Sequence, residues 1–571
     1  MKENAFYLRC FLLAGLMVGS IFSGYSQEDK PKKTQVELLG ATELVFDDDG
    51  AQKLIGNVKF GLDGAIMNCD SAYLYKETNK LNAYGRVHIE QGDTIHLYGD
   101  TLLYDGATRL ARMRGNIKMI DSDAILTTEY LDYNRASGYA FYLGGGKIVS
   151  KKEDNTLTSE IGYYYPDQRS FYFRDSVKLK NQDYNITSDT LKYNNSTEVA
   201  TFLGPTYIRT KEDLIYCEAG WYDTRNNRSE FRKNAYVESK DQRLGGDSLV
   251  YDRALGIGEA FGNVSILDTA SDFLVYGDYA FNSTKDSTSI VTGHAMLVQI
   301  FDEDSLFLHG DTLYSTYDST GQYRLIFAFE QVKFFKSDMQ GKCDSLVFSD
   351  ADSTIRMFYD PVLWSDENQI TADDIIINSY DGKIKSMQMD NNAFIISQED
   401  SIHYNQIKGK SMTGLFKQSQ LSRVDVRGNG QTIYYASEDG GDLIGVNEAV
   451  CSDLIIYIDS SKVKRINFLN QPVATLHPLS KVTPEKMQLG DFVWLGDLRP
   501  LRKEDIFYWN GRAPIVPGAM QEVDEDSTAI DSLFTAPIKE EPKVKLTRQE
   551  RKELRKNKRN KLNGNAKKED D

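Results

Sequence analysis

The chain has 571 residues, too many for one compact core, and with 40% apolar and 11% aromatic residues it is not a disordered polymer. Its formal charge of −17 excludes a body built to bind nucleic acid, which needs a basic face. With 34 tyrosines, only 12 prolines and many Gly, Asn and Asp turn residues, it suits a succession of short strands and is predicted to be all-β.

Residues 1–26 carry Lys2 and Arg9, then an apolar run from Phe11 to Val18, then small residues up to Ser26. This pattern predicts a secretory signal peptide cleaved near Ser26 and an exported mature chain. The run falls short of the roughly 20 residues that a membrane span needs, and no later segment suits a spanning helix.

From residue 36 onward a two-part phrase recurs. A small residue followed by an acid stands at Thr42-Glu43, Cys69-Asp70, Gly99-Asp100, Thr128-Glu129, Ser159-Glu160, Ser188-Asp189, Cys217-Glu218, Gly246-Asp247, Gly277-Asp278, Gly310-Asp311, Cys343-Asp344 and Ala372-Asp373, with 27 to 33 residues from acid to acid. Such a period marks a stacked array in which each unit buries its apolar side on its neighbours. Before the acid the inward positions are Leu97, Leu126, Leu157, Ile186 and their equivalents. After it they are Leu102 and Tyr104, Leu131 and Tyr133, Leu191 and Tyr193, Leu249 and Tyr251. Both halves alternate as strands do, yet the parity flips at the small-acid pair, the mark of an inserted residue at a bulge or corner. The second half of each unit opens on Gly-Asn-Val or a variant, at Gly56-Asn57-Val58, Gly85-Arg86-Val87, Gly115-Asn116-Ile117, Gly262-Asn263-Val264 and Gly293-His294-Ala295. Gly and Asn are expected to make a turn there, after which alternation resumes with Val58 and Phe60, Ile117 and Met119, Val264 and Ile266, Val362 and Trp364.

The phrase divides the chain into repeats at 27–200 and 201–380 and a degenerate continuation at 381–470, where Gly428-Asn429-Gly430 and Cys451-Ser452-Asp453 are remnants. An irregular, proline-containing region at 471–518 follows, then a charged low-complexity tail at 519–571. Within that tail Arg548 to Lys561 is basic, either a solvated arm or a contact for an anionic membrane surface.

Few residues point to chemistry. The acid column is read as structural, because an active site occurs once whereas this carboxylate recurs at every bend, where it can accept hydrogen bonds. Gly144-Gly145-Gly146-Lys147 lacks the Ser/Thr and the helix of a phosphate loop, and the six histidines show no metal-ligand spacing. Cys69, Cys217 and Cys343 fall in a column that accepts Gly, Ala, Ser or Thr, so volume rather than thiol chemistry selects them, and buried free thiols are expected. No enzyme, metal or cofactor is indicated.

Gly99-Asp100-Thr101-Leu102-Leu103-Tyr104-Asp105 with Ala111-Arg112-Met113-Arg114-Gly115-Asn116-Ile117, and Gly246-Asp247-Ser248-Leu249-Val250-Tyr251-Asp252 with Ala260-Phe261-Gly262-Asn263-Val264, resemble the OstA (organic solvent tolerance) family of lipopolysaccharide-transport periplasmic proteins. The resemblance implies an elongated, twisted β-jellyroll of about 30-residue two-strand units with an apolar groove for acyl chains (a β-taco). It implies a periplasmic or outer-membrane-associated, non-enzymatic scaffold that carries or bridges lipopolysaccharide. Its partners would be lipid A acyl chains, other jellyroll proteins of the transport bridge met through edge strands, and further copies of itself. The groove would be lined by Phe60, Leu102, Tyr104, Ile117, Met119, Leu131, Tyr133, Leu191, Tyr193, Leu249, Tyr251, Val264 and Ile266. The other reading of the same residues is a structural or adhesive β-solenoid with a filled core, displayed in the envelope or at the surface.

Overall fold

The computed structural model describes residues 36–513, apart from 48–49, 63, 93–94, 123, 135, 152–153, 270–271, 302–303, 381–382, 418–419, 438–442, 460–461 and 484–486. The expected signal peptide at 1–26 and tail at 519–571 lie outside these residues. Every strand described joins one sheet, and no described helix is long and apolar enough to cross a membrane.

From Gln52 to Ser283 the sheet is a meander in which each strand pairs antiparallel with the next, as in Ala65–Tyr75, Lys80–Gln91, Ile95–Asp105 and Leu110–Ile120. Side-chain caps close the hairpins. Asp105 Oδ1 accepts from the N–H groups of Ala107 at 3.0 Å and Thr108 at 3.3 Å, the local bonding that makes Asx residues turn formers.

The parity flip lies at mid-strand. In Leu110–Ile120 both Gly115 (φ 76°) and Asn116 (φ 49°) are left-handed, and the register slips between Arg114 and Ile117. The inward set passes across the slip from Met113 to Ile117, both buried. Gly-Asn is therefore not the hairpin turn expected from the sequence. A left-handed pair serves a hairpin or a corner equally well; here the residues on both sides of it bond to the same neighbouring strands rather than to each other. Each strand thus contributes one half to each of two walls, and the sheet folds along the line of corners with its apolar side inward.

The acid column fastens that fold line. The Asn116 amide donates to Asp100 Oδ2 at 2.7 Å, Asn263 to Asp247 at 3.0 Å and Asn234 to Glu218 at 3.1 Å, each acid holding the corner 16 residues later. Arg86 does the same to Asp70, at 2.6 Å, and the Arg86 guanidinium beside Asp70 lowers the carboxyl's pKa. A Cβ on Gly85 would stand 2.5 Å from Asp70 Oδ2, so glycine lets the carboxylate close over the backbone. The small residue before the acid faces inward: Cys217 and Cys343 are 0% exposed, and all four described cysteines are free and buried. Burial pushes the Cys69 thiol to about 11 and the Cys217 thiol to about 12.

From residue 288 some corners split a strand in two, as in Thr288–Thr292 with Met296–Ile300 and Ser305–His309 with Thr312–Tyr317. One such corner shifts the pattern. Pro361 follows the left-handed pair Tyr359-Asp360 and takes the inward place that Val holds elsewhere, so Leu363 is the core residue. Val362 and Trp364, expected inward, lie on the other face, with Trp364 in register with Gln340 and Gln369. Beyond residue 380 the strands lengthen (Lys383–Gln398, Tyr404–Lys417, Gln420–Ser437, Leu443–Asp459), with left-handed pairs at Asn391-Asn392 and Gly428-Asn429.

After the last strand, Val473–Pro478, the chain turns back and crosses the outer face of one wall as a strap. Gln406 donates to the Met487 carbonyl at 2.8 Å and accepts from the Leu489 N–H at 2.8 Å. Gln369 does likewise with Val493 at 2.7 Å and Leu495 at 2.6 Å. Each amide gives the strap the donor and acceptor that a neighbouring strand would supply. Farther along, Arg499 donates to Gln340 at 2.7 Å, Lys333 donates to the carbonyls of Tyr508 and Gly511, and Ile506 is buried with Met296 and Val298.

Candidate functional site

The apolar interior falls into two contiguous cores, one from Leu54 to Ile117 and one from Ile95 to Ile456. At their seam lies a cavity of about 180 Å³, larger than the roughly 150 Å³ of apolar space that admits a benzene ring. Its walls draw on both fold halves. Phe60, Met67, Leu81, Leu102, Tyr104 and Met113 come from the first core, and Ile95, Met119, Leu126, Tyr142 and Ile148 from the second. Gln91 and Arg109, near hairpin ends, are the polar residues with long side chains among the lining, and Arg109 is the charged one.

Aromatic rings close one end. The Tyr142 ring lies across the backbone of two glycines, so that a Cβ on Gly146 would stand 2.5 Å from it and one on Gly162 would overlap it. The Tyr142 hydroxyl and Ser159 Oγ are 2.6 Å apart, and burial pushes the phenol up to about 12. Behind it Tyr164 stacks on Phe171 at 4.4 Å, and Phe171 on Phe173 at 6.1 Å. Past this partition the interior is filled, with Leu191, Ala200 and Phe202 at 0% exposure.

Of the residues expected to line a groove, Phe60, Leu102, Tyr104, Met119, Leu131 and Tyr133 meet at the cavity. Ile117, Leu191, Tyr193, Leu249 and Val264 are buried, and Ile266 packs against the second core, but none of these six borders the cavity. Tyr251 does not face an enclosed space: it is 41% exposed. Its cross-strand neighbours are Ser229 and Gly258, where the equivalent Tyr104 has Leu81 and Ala111, so little apolar surface covers its ring. Leu97 and Leu126, inward positions by the alternation of the sequence, and Ile89 also line the cavity, although none of them is among the expected groove residues.

On the outer face the structure brings together two histidines that lie eight residues apart. His88 Nε2 and His96 Nδ1 are 3.2 Å apart, with Tyr98 stacked on His88 at 4.3 Å, and burial lowers the His88 pKa. Among the described residues no group of three His, Cys, Asp or Glu side chains is placed to hold a metal ion.

Fold and cavity together define an all-β repeat protein whose folded sheet encloses an apolar chamber. Residues 33–189, the stretch that contains every residue of that chamber, match the OstA-like protein family. Among solved structures the chain is similar to LptH of Pseudomonas aeruginosa, described as the LptA-homologous periplasmic component of a lipopolysaccharide transport device. The two are 20% identical, over 20% of this chain and 85% of that one, with a TM-score of 0.18. No curated protein matches the chain.

Proposed function

We propose that this protein is a non-enzymatic, periplasmic lipid-binding scaffold that carries or bridges lipopolysaccharide toward the outer membrane, its acyl chains entering the chamber between residues 36 and 173. The observation that carries this reading is the chamber's place: an apolar cavity inside the stretch that matches the OstA-like family. The match of that stretch to the OstA-like family, together with the resemblance of its motifs to lipopolysaccharide-transport proteins, suggests the cargo, and the export signal expected at the N-terminus suggests the compartment. Apolar walls favour hydrocarbon by about 25 cal/mol per Å² removed from water. Arg109, charged and at the margin, suits the head of an anionic amphiphile. The exposed first strands, with Leu44 and Phe46 at 45% and 69%, offer an edge to a like-folded partner or a second copy.

Photo-crosslinking side chains at Leu102, Tyr104 and Met119 test this in cells, with Ile117, Leu191 and Leu249 as fully packed references. Lipid A is expected on the first three only. Absence of lipid from all six, with crosslinks to neighbouring protein intact, would overturn the proposal. The filled interior beyond residue 180 favours a second reading, a structural array, which surface labelling of intact cells separates: a periplasmic protein reacts only after the outer membrane is breached.

A further inference from the structure

The outer face of the strap-bearing wall carries two cross-strand columns. In the N-terminal part, one passes in register from Lys59 through His88, Lys118 and Lys147 to Lys178. Its lysines are exposed, in a chain whose net charge is −17. The other, two residues farther along each strand, passes from Ile66 through Ile120 and Ile125 to Val149, broken by Glu90 and His96, and is half-buried.

The same two columns continue into the C-terminal part, and there they are covered. The first reaches Met296, His309, Lys333, Lys342 and Lys408; the second reaches Val298, Phe307, Gln340, Gln369 and Gln406. What lies on them is the strap. Lys408 meets Asp491 at 2.5 Å, Lys342 stands 3.6 Å over the Trp509 ring, Phe507 packs on His309 at 4.7 Å, and Ile506 is buried beside Val298. The molecule itself thus displays one segment that this pair of columns takes: irregular chain with short 3-10 segments at Gly496–Leu498 and Lys503–Phe507, its backbone on the glutamines, with acid, carbonyl or aromatic ring on the lysines.

We propose that the uncovered N-terminal stretch of these columns, Lys118, Lys147 and Lys178 with Ile120, Ile125 and Val149, is a docking track for an extended acidic segment of a partner protein. Continuity with the covered stretch supplies the precedent for a covering segment, the half-buried Ile120, Ile125 and Val149 supply an apolar seat where the covered stretch has glutamines, and the exposed lysines supply the sign of the partner's charge. Spacing supplies its period. Lys118, Lys147 and Lys178 stand two strands apart, about 9.6 Å, which is about three residues of extended chain. The strap spends six residues on the same two strands, from Leu489 on Gln406 to Leu495 on Gln369, because its course there is not fully extended. An acid at every third position with an apolar residue between is the pattern that fits. This surface lies outside the wall, and the proposal stands apart from the lipid reading of the interior.

The test uses the mature full chain and a labelled twelve-residue peptide repeating Asp-Val-Thr, titrated by fluorescence anisotropy at low and at physiological salt. Binding that weakens with salt is expected, falling about tenfold or more in the triple variant Lys118→Glu, Lys147→Glu, Lys178→Glu and unchanged in Lys192→Glu on the other wall. If charge reversal lowers the melting temperature, the triple Lys→Gln variant replaces it in the same titration. No binding by the unaltered chain, or equal binding by the variant, would overturn the proposal. So would a variant that keeps the peptide but loses lipopolysaccharide micelles or anionic vesicles, since the track would then belong to a lipid head.

Discussion

Around residues 36–173 the inward side chains leave a chamber, and the outer face of one wall is open. Between residues 296 and 513 the same positions are filled, and the strap lies over that face. Both regions use one unit, with the same corner and inward alternation. The repeat therefore decides where side chains point and leaves open what they enclose. Enclosure is settled by a few local substitutions: the Tyr142, Tyr164 and Phe171 rings that end the chamber, and the glutamines at 340, 369 and 406 that attract a covering segment.

The sharpest way to break this comparison is a matched pair of truncations. Leu191 and Leu102 occupy equivalent places, one in solid core at 0% exposure and one bordering the chamber. Leu191→Ala should cost about 2–5 kcal/mol, and Leu102→Ala a value toward the lower end, because its side chain already lacks partners on one side. Equal losses in chemical denaturation would mean that the chamber is not a packing defect at all. Next in size is overpacking at a corner. Cys217→Leu has nowhere to place its added atoms and should cost about 1–3 kcal/mol or more. Cys217→Ser should lower the melting temperature far less, and an equally harmful Ser would point to the thiol instead of its volume.

The smallest expected effect concerns the strap. Asp505 is buried and accepts from the N–H groups of Leu501 at 2.9 Å, Arg502 at 3.1 Å and Ala513 at 2.9 Å. Burial alone would raise its pKa, but these donors together with the Arg502 guanidinium hold it below the ordinary carboxylate range. A depressed carboxyl adds stability above its unfolded value near 4 and loses it as pH falls through the folded one. Burial pulls Lys333 down to about 8, so its charged form costs stability below that pH and the cost fades as pH rises from there to the unfolded value. Both groups give the same sign. Proteolysis within 479–513 should speed up in acid while hydrogen exchange in the N-terminal strands stays slow, and Asp505→Asn should flatten the acid limb.

The alternation, the parity flip and the structural use of the acids were legible in the sequence, because each is repeated and repetition averages out local exceptions. The meaning of Gly-Asn was not. It read as a turn because its partner, the acid 16 residues earlier, lies on another strand, and because several corners carry no glycine, as at Asp175-Ser176, Lys233-Asn234 and Glu330-Gln331. The chamber was half legible: alternation names the inward side chains, but the ring of Tyr142 over Gly146 and Gly162 is a matter of rotamer and close contact. The strap was hidden entirely. Nothing in the local sequence sets Gln369 and Lys333 apart, since their partners stand 124 to 178 residues away.

Those separations set a clock. The meander joins strands that follow one another in the chain, so it can zip up as it is made. The strap cannot, since Met296, Val298 and Phe307 must wait for Ile506, about 200 residues later in the chain. During that interval a sticky outer wall stands bare beside a finished sheet. Long sequence separation makes closure of the strap the contact expected to form last, after the sheet beneath it.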